Sequence, residues 1–170
     1  MNKKIIYALT ILVFGFTACN SQNKSNTEKQ KVESTANKIT DNMKSYISIF
    51  EIPATDISRA VKFYQAILDI NIEIMDMEGM IGMEGMQMGL LPFEGQNVIG
   101  TIMKGEGYIP SPNGVTIYLN GGDNLQVILG KVENNGGKII VQKTLHGDES
   151  GYFAIFLDTE GNRIGLHSPN

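Results

Sequence analysis

The chain has 170 residues, 42% of them hydrophobic, with 14 basic against 18 acidic side chains and a net charge of −4. That length suits one compact domain with its own core, and the lack of a basic excess argues against a nucleic-acid partner. The single cysteine excludes an internal disulfide and a cysteine-based metal cluster.

Residues 1–18 have the pattern of a bacterial lipoprotein signal peptide. Two lysines precede an apolar stretch that is too short for a permanent membrane helix. The stretch ends in Phe-Thr-Ala-Cys at 16–19, which resembles a lipobox, so Cys19 is the expected lipidation site. The alternative is an ordinary secretory signal with a cysteine there by chance. Lipidation predicts a protein of the bacterial cell envelope, at the outer membrane or cell surface rather than the inner membrane.

Residues 19–44 follow as the lipidated cysteine and a tether. The segment is rich in Asn, Ser, Gln, Thr and Lys and has too few apolar side chains to build a core. The folded domain is therefore expected over 45–170, held to a membrane through Cys19.

The first half of this domain predicts a strand, a helix and three further strands. The strand covers 46–52 and stops at Pro53, and Asp56 is the expected N-cap of the helix. A single apolar stripe at helical spacing follows, made of Ile57, Ala60, Val61, Tyr64, Ile67 and Leu68. The later strands are expected at 71–77, 83–92 and 97–104.

The second half repeats the order. A strand at 115–119 leads to Asp123 as the expected N-cap, and Gly136-Gly137 ends the helix. The helical stripe consists of Leu125, Ile128, Leu129 and Val132. Strands are expected at 138–143, 152–158 and 163–167, with a turn at 158–162. Two tandem βαβββ modules predict an α+β fold in which one curved mixed sheet surrounds a cavity.

Two segments carry a family resemblance. The sequence IFEIPATD at 49–56 followed by RAVKFY at 59–64, and GYFAIFL at 151–157 followed by DTEGNRIGLH at 158–167, resemble the opening and the end of vicinal oxygen chelate domains. That superfamily includes glyoxalase I, extradiol dioxygenases and bleomycin-resistance proteins. The resemblance spans 45–168 and implies the paired-module fold, a divalent metal ion held by four cavity-facing strands, and a homodimer.

The four positions that would hold this ion are occupied here by Ile49, Gly100, Thr116 and Gly165. None of these side chains is a competent ligand for a divalent ion. The sequence therefore predicts a domain without the metal ion of the family, and no other cofactor is expected, although a divalent ion or Cu(I) elsewhere stays open.

Strand alternation places Glu51, Tyr118 and His167 on the cavity face, together with Arg163 and Asn120. Glu51 is a candidate ligand anchor or general base, or else a partner of Arg163, because a carboxylate in an apolar strand needs compensation. Tyr118 and His167 are candidates to stabilise charge; packing and solvent exposure are the competing interpretations. His146 lies in a polar segment and is expected at the surface.

Six methionines lie close together at 75, 77, 80, 83, 86 and 88. Thioethers suit Cu(I), but methionine is also an adaptable filler for a cavity wall. The two interpretations differ in whether the side chains converge or alternate between faces.

Three functions follow. The leading hypothesis is an envelope protein that binds a small organic molecule in the cavity without a metal ion. The second is a glyoxalase-like lyase with Glu51 as base and Tyr118 or His167 stabilising charge. The third is a Cu(I)-binding protein that uses the methionine segment.

Overall fold

The computed structural model describes residues 45–147 and 150–170, and 45–170 form one compact unit. The expected signal peptide, Cys19 and the tether lie outside the described residues. Within the part that is described, no helix is both long and apolar enough to cross a membrane.

Each module has the predicted order of elements. The first contains β1 (Ile49–Pro53), α1 (Ile57–Leu68), β2 (Glu73–Asp76), β3 (Gln87–Leu90) and β4 (Ile99–Lys104). The second contains β5 (Ile117–Asn120), α2 (Gln126–Val132) with a 3₁₀ turn at Glu133–Asn135, β6 (Lys138–Leu145), β7 (Tyr152–Leu157) and β8 (Arg163–Ser168).

The α+β class and the tandem βαβββ modules are confirmed. Backbone hydrogen bonds run within each module and give two four-stranded sheets, ordered β1-β4-β3-β2 and β5-β8-β7-β6. The first and last strands of each module pair in parallel, and the other neighbours are antiparallel. Both sheets are therefore mixed, with β1 and β5 as corresponding edge strands.

Several strand bounds differ from the predicted ones by one to three residues, and the larger differences concern β3 and the start of α2. β3 is much shorter than 83–92, because residues 77–86 form consecutive turns. The expected N-cap Asp123 is wrong, since α2 begins at Gln126 without a side-chain cap. Asn124 accepts from the Gln126 amide at 3.1 Å, and Ser168 accepts from the Leu125 amide at 3.0 Å. In α1, Asp56 caps as predicted by accepting from the Arg59 amide at 3.0 Å.

Side chains of both modules form one hydrophobic core. The α1 stripe is buried except for the half-buried Leu68, and Phe63 lies 6.0 Å from Phe156 of β7, centroid to centroid. Phe63 also meets Tyr64 edge to face at 5.2 Å. Burial of this apolar surface is the main stabilising contribution, and it joins the modules.

The turn at 158–162 adds a polar link between the modules. Asp158 is buried and accepts from the Tyr64 hydroxyl at 2.7 Å and from the Asn162 side chain at 2.9 Å. Asn162 also donates to the Pro53 carbonyl at 2.7 Å and accepts from the Ser111 amide at 3.1 Å. Burial, followed by the charge and hydrogen bond of Asp158, raises the pKa of Tyr64 well above its ordinary value.

Glu160 in the same turn reaches the start of α1. It accepts from the Thr55 and Asp56 amides at 2.9 and 3.1 Å and pairs with Arg59 Nε at 2.7 Å. Burial alone would raise the pKa of Glu160, but the hydrogen bonds from Arg59, Thr55 and the two amides outweigh it and lower that pKa. We call residues 158–162 the latch turn.

Candidate functional site

A cavity of about 950 Å³ lies between the two modules. Its walls come from residue 50 in β1, from 68–70 at the end of α1, from the β3–β4 connection, from β5 and from the first half of α2. Most of the lining is apolar: Ile47, Phe50, Leu68, Ile70, Leu91, Pro92, Val98, Val115, Ile117, Leu119, Val127 and Ile128. Small-molecule sites have this size and character, at about 300–1,000 Å³ with a few polar groups in an apolar wall.

The polar groups of the wall are few and lie mainly on the second module. They are Gln96, Thr116, Tyr118, Asn120, Asp123 and Asn124. Asp123 is the single charged side chain among the described lining residues, so the cavity favours a molecule with an apolar body and a cationic or hydrogen-bond-donating group.

Two of the four positions expected for metal ligands are glycines that aromatic rings cover. A Cβ atom at Gly100 would lie 2.5 Å from Phe50 Cζ, and one at Gly165 would lie 2.4 Å from Tyr118 Cδ1. Each ring comes from the parallel neighbour strand, where Phe50 pairs with Gly100 and Tyr118 with Gly165. The rings fill the space that a ligating side chain would need.

The other two positions also lack a ligand. The Ile49 side chain is 55% exposed and has no donor atom for a metal ion. The Thr116 hydroxyl accepts from Arg163 Nε at 3.2 Å, and this cation would oppose a second positive charge there. Among the described residues, no three His, Cys, Asp or Glu side chains come together in a way that could hold a metal ion. The residues present do not fit the divalent ion that the fold family implies.

Glu51 is exposed and accepts from the Tyr108 hydroxyl at 3.0 Å. Arg163, the partner considered from the sequence, donates to Thr116 instead. Burial, and then the hydrogen bond and charge of Glu51, raise the pKa of Tyr108. Glu51 is not among the residues that line the cavity.

His167 is half-buried at the end of β8, outside the cavity lining. Its ring lies 5.9 Å from that of His146, which in turn lies 4.9 Å from Phe153. His146, expected at the surface, is thus half-buried in an aromatic group. Tyr118 is 47% exposed and lines the cavity, as Asn120 does.

The structure therefore separates the three candidate catalytic residues. Within the described chain, no hydrogen bond or ion pair joins Glu51, Tyr118 and His167 to one another. Sequence reasoning missed Gln96 and Tyr108, because both lie in connections without periodicity. Asp123 was considered only as a helix cap, and its place in the cavity wall depends on where α2 begins.

Comparisons with known proteins agree with this architecture. The family model described as "Glyoxalase/Bleomycin resistance protein/Dioxygenase superfamily" matches residues 46–166. A glyoxylase-like domain-containing protein of Didymella fabae is 35% identical over 119 residues, covering 68% of this chain and 88% of that protein.

Two solved structures share the fold. A glyoxalase/bleomycin resistance protein from Albidiferax ferrireducens has a TM-score of 0.55 at 16% identity, covering 73% of this chain and 98% of that one. TnmS3, described as an antibiotic binding protein from a Streptomyces species, has a TM-score of 0.50 at 18% identity, covering 75% and 98%. The chain belongs to the glyoxalase/bleomycin resistance protein/dioxygenase superfamily.

Proposed function

We propose that this protein binds a small organic molecule in the cavity between its modules, and that it does so without the divalent ion of its superfamily. The observation that carries the proposal is the filling of two ligand positions by the Phe50 and Tyr118 rings, beside a large apolar cavity. These two rings occupy the space that a ligating side chain at position 100 or 165 would need, and they also line the cavity wall.

The chemistry of the cavity wall supports a proposal for the class of ligand. An apolar molecule with a ring system would contact Phe50, Leu119 and Ile128, and a donor group on it would reach Asp123 or Asn120. TnmS3 shares the fold and is described as an antibiotic binding protein. Sequestration of a compound of this kind is the function we propose here.

Native mass spectrometry of the full chain, purified without chelators, tests the proposal. We expect an organic adduct and no stoichiometric divalent ion. Ile128→Phe narrows the cavity and should remove the adduct, whereas Ile140→Phe on an exposed side of β6 should keep it. A divalent ion at one per chain, or an adduct that survives Ile128→Phe, would contradict the proposed site.

We also propose that lipidated Cys19 holds the protein at a bacterial envelope membrane. The support is the lipobox-like Phe-Thr-Ala-Cys at 16–19 after a short apolar stretch. Cys19→Ser should move the protein from the membrane fraction to the soluble fraction, and a chain that stays with the membrane would refute the anchor.

A homodimer is the third part of the proposal. Ile47, Val115 and Val127 at the cavity rim are 59%, 91% and 65% exposed, and a second copy would cover them. Val115→Lys should then lower the dimer fraction in sedimentation experiments. A parent chain that stays monomeric at all concentrations would rule this out.

A further inference from the structure

The connection between β2 and β3 contains a three-residue repeat. Residues 77–86 read MEGMIGMEGM, which is Met-x-Gly three times followed by a closing Met. The three glycines, Gly79, Gly82 and Gly85, have φ of 83°, 80° and 70°. A positive φ at the third position of a turn is typical of type II β-turns, so the repeat encodes three identical turns that share methionine corners.

Backbone hydrogen bonds close these turns into a ring. Met80 donates to the Met77 carbonyl at 3.0 Å, Met83 to Met80 at 3.0 Å, and Met86 to Met83 at 3.1 Å. The Met77 amide closes the ring by donating to the Met86 carbonyl at 3.0 Å. Every corner thus donates once and accepts once in the same rotational sense. We call Met77, Met80, Met83 and Met86 the methionine ring.

The ring brings the Cα atoms of its four methionines close together. The Cα atoms at the two ends of a β-turn lie less than about 7 Å apart, and the bridge between Met77 and Met86 joins the ends. Methionine has three rotatable bonds and a polarisable sulfur, so sulfurs on neighbouring corners can meet over the ring.

Exposure to solvent differs between the four corners of the ring. Met77 is 6% exposed and Met86 packs against Gly105, so these two fix the ring to the domain. Met80 and Met83 are 52% and 39% exposed and fill no core. A thioether site with two fixed ligands and two accessible ones would accept an ion from solution.

We propose that the methionine ring binds one soft monovalent cation, Cu(I) or its analogue Ag(I), through the thioether sulfurs. Soft thioether donors select Cu(I) over hard divalent ions. The surroundings favour a cation, because Glu78 and Glu84 lie within the ring segment and Asp76 precedes it. Glu84 accepts from the Gly82 amide at 3.2 Å and stays close to the turns. This site is independent of the proposed organic-ligand cavity.

Thioether sulfurs carry no titratable proton, so the affinity of the methionine ring for a metal ion should depend little on pH. Thioethers need not lose a proton before they bind, whereas imidazole ligands do. The ionisable side chains near the ring are Asp76, Glu78, Glu84 and Lys104. Because the thioether donors carry no proton to lose, we expect Ag(I) affinity to change less than about twofold between about pH 5.5 and about pH 8.

Isothermal titration of the full chain with Ag(I) tests the proposal, with Cu(I) competition against a chromophoric chelator as a second probe. One equivalent should bind. Met80→Leu with Met83→Leu removes two thioethers but keeps the apolar volume, and should weaken binding more than tenfold. Met75→Leu with Met88→Leu is the matched control, since these residues pair across β2 and β3 outside the ring, and it should bind as the parent does.

A second variant tests the geometry with every sulfur retained. Gly82→Ala places a side chain where φ is 80°, with nothing within 4 Å of the added Cβ, so it strains only the backbone of the ring. It should weaken Ag(I) binding several-fold without changing thermal unfolding of the domain. Unchanged binding in Met80→Leu with Met83→Leu would overturn the proposal. So would an affinity that falls as imidazole protonates, and that outcome would point to the pair of His146 and His167 instead.

Discussion

In each module a connection joins the last two strands, and the two connections contact different parts of the molecule. In the second module, the latch turn at 158–162 hydrogen-bonds to β1 and α1 of the first module. In the first module, the corresponding connection at 91–98 contributes Leu91, Pro92, Gln96 and Val98 to the cavity wall. A repeated topology thus provides a polar link between the modules at one connection and part of the cavity wall at the other.

The largest effect is expected at the centre of the latch turn. Asp158→Ala leaves the buried Tyr64 hydroxyl and the Asn162 side chain without their acceptor, and we expect the free energy of unfolding to fall by about 3 kcal/mol. This loss is measured by urea unfolding with circular dichroism as the signal. Glu94→Ala in the exposed part of 91–98 is the matched control and should change stability by less than about 0.5 kcal/mol. Similar losses in both variants would remove the distinction between the connections.

A smaller loss is expected for Glu160→Gln, which keeps the shape of the side chain but removes its charge. We expect about 1–2 kcal/mol at neutral pH, because the hydrogen bonds to a carboxylate weaken and the half-exposed Arg59 is partly screened by solvent. Urea midpoints of parent and variant give this difference.

The pH dependence of that difference has a fixed sign. Folding lowers the pKa of Glu160 from its ordinary 4.5, so its contribution is complete above that pH and is lost as the pH falls through the lower folded value. Parent and Glu160→Gln should therefore converge in stability at low pH. A gap that widens on acidification would contradict the pairing of Glu160 with Arg59.

In contrast to the latch turn, a substitution in the connection at 91–98 should change ligand affinity more than it changes stability. Gln96→Ala removes one polar group from the cavity wall. It should lower the affinity for the organic ligand proposed for the cavity a few-fold, by about 1 kcal/mol. Its effect on the melting temperature should be within a few degrees. Competitive binding and a thermal scan measure the two quantities, and a large melting shift without a change in affinity would make this connection structural.

The smallest effect is expected at Glu51. Glu51→Gln changes only an exposed contact with Tyr108, so stability and ligand binding should match the parent. The pKa of Tyr108 should fall only part of the way to its ordinary value, because burial is the larger cause of its shift. Spectroscopic titration of tyrosine checks this. Turnover of an α-oxo substrate that Glu51→Gln abolishes would instead favour the glyoxalase-like lyase.

Patterns among residues close together in the sequence were sufficient to predict most of the helices and strands. The apolar stripe of α1 and the Asp56 cap depend on residues within a few positions of each other, so periodicity reveals them. β3 was predicted too long because its methionines are apolar, although the glycine at every third position indicated turns. The start of α2 escaped prediction because Ser168, which accepts from the Leu125 amide, is 43 residues away.

The candidate site was less predictable for the same reason. Tyr118 lines the cavity wall, but so do its strand neighbours Ile117 and Leu119, so strand alternation alone does not define the lining. The partner of Glu51 lies 57 residues further on in a connection without any pattern. Closure of the methionine ring depends on the bridge between Met77 and Met86, which the three-residue period alone does not reveal.

The latch turn also constrains the order in which the chain can fold. The hydrogen bond from Tyr64 to Asp158 spans 94 residues, and that from Thr55 to Glu160 spans 105. During synthesis, the first module leaves the ribosome with the Tyr64 hydroxyl and the start of α1 still lacking these acceptors. Such long-range closure slows folding, so the chain stays unfinished, and open to chaperones and proteases, until the latch turn is free to pair with the first module.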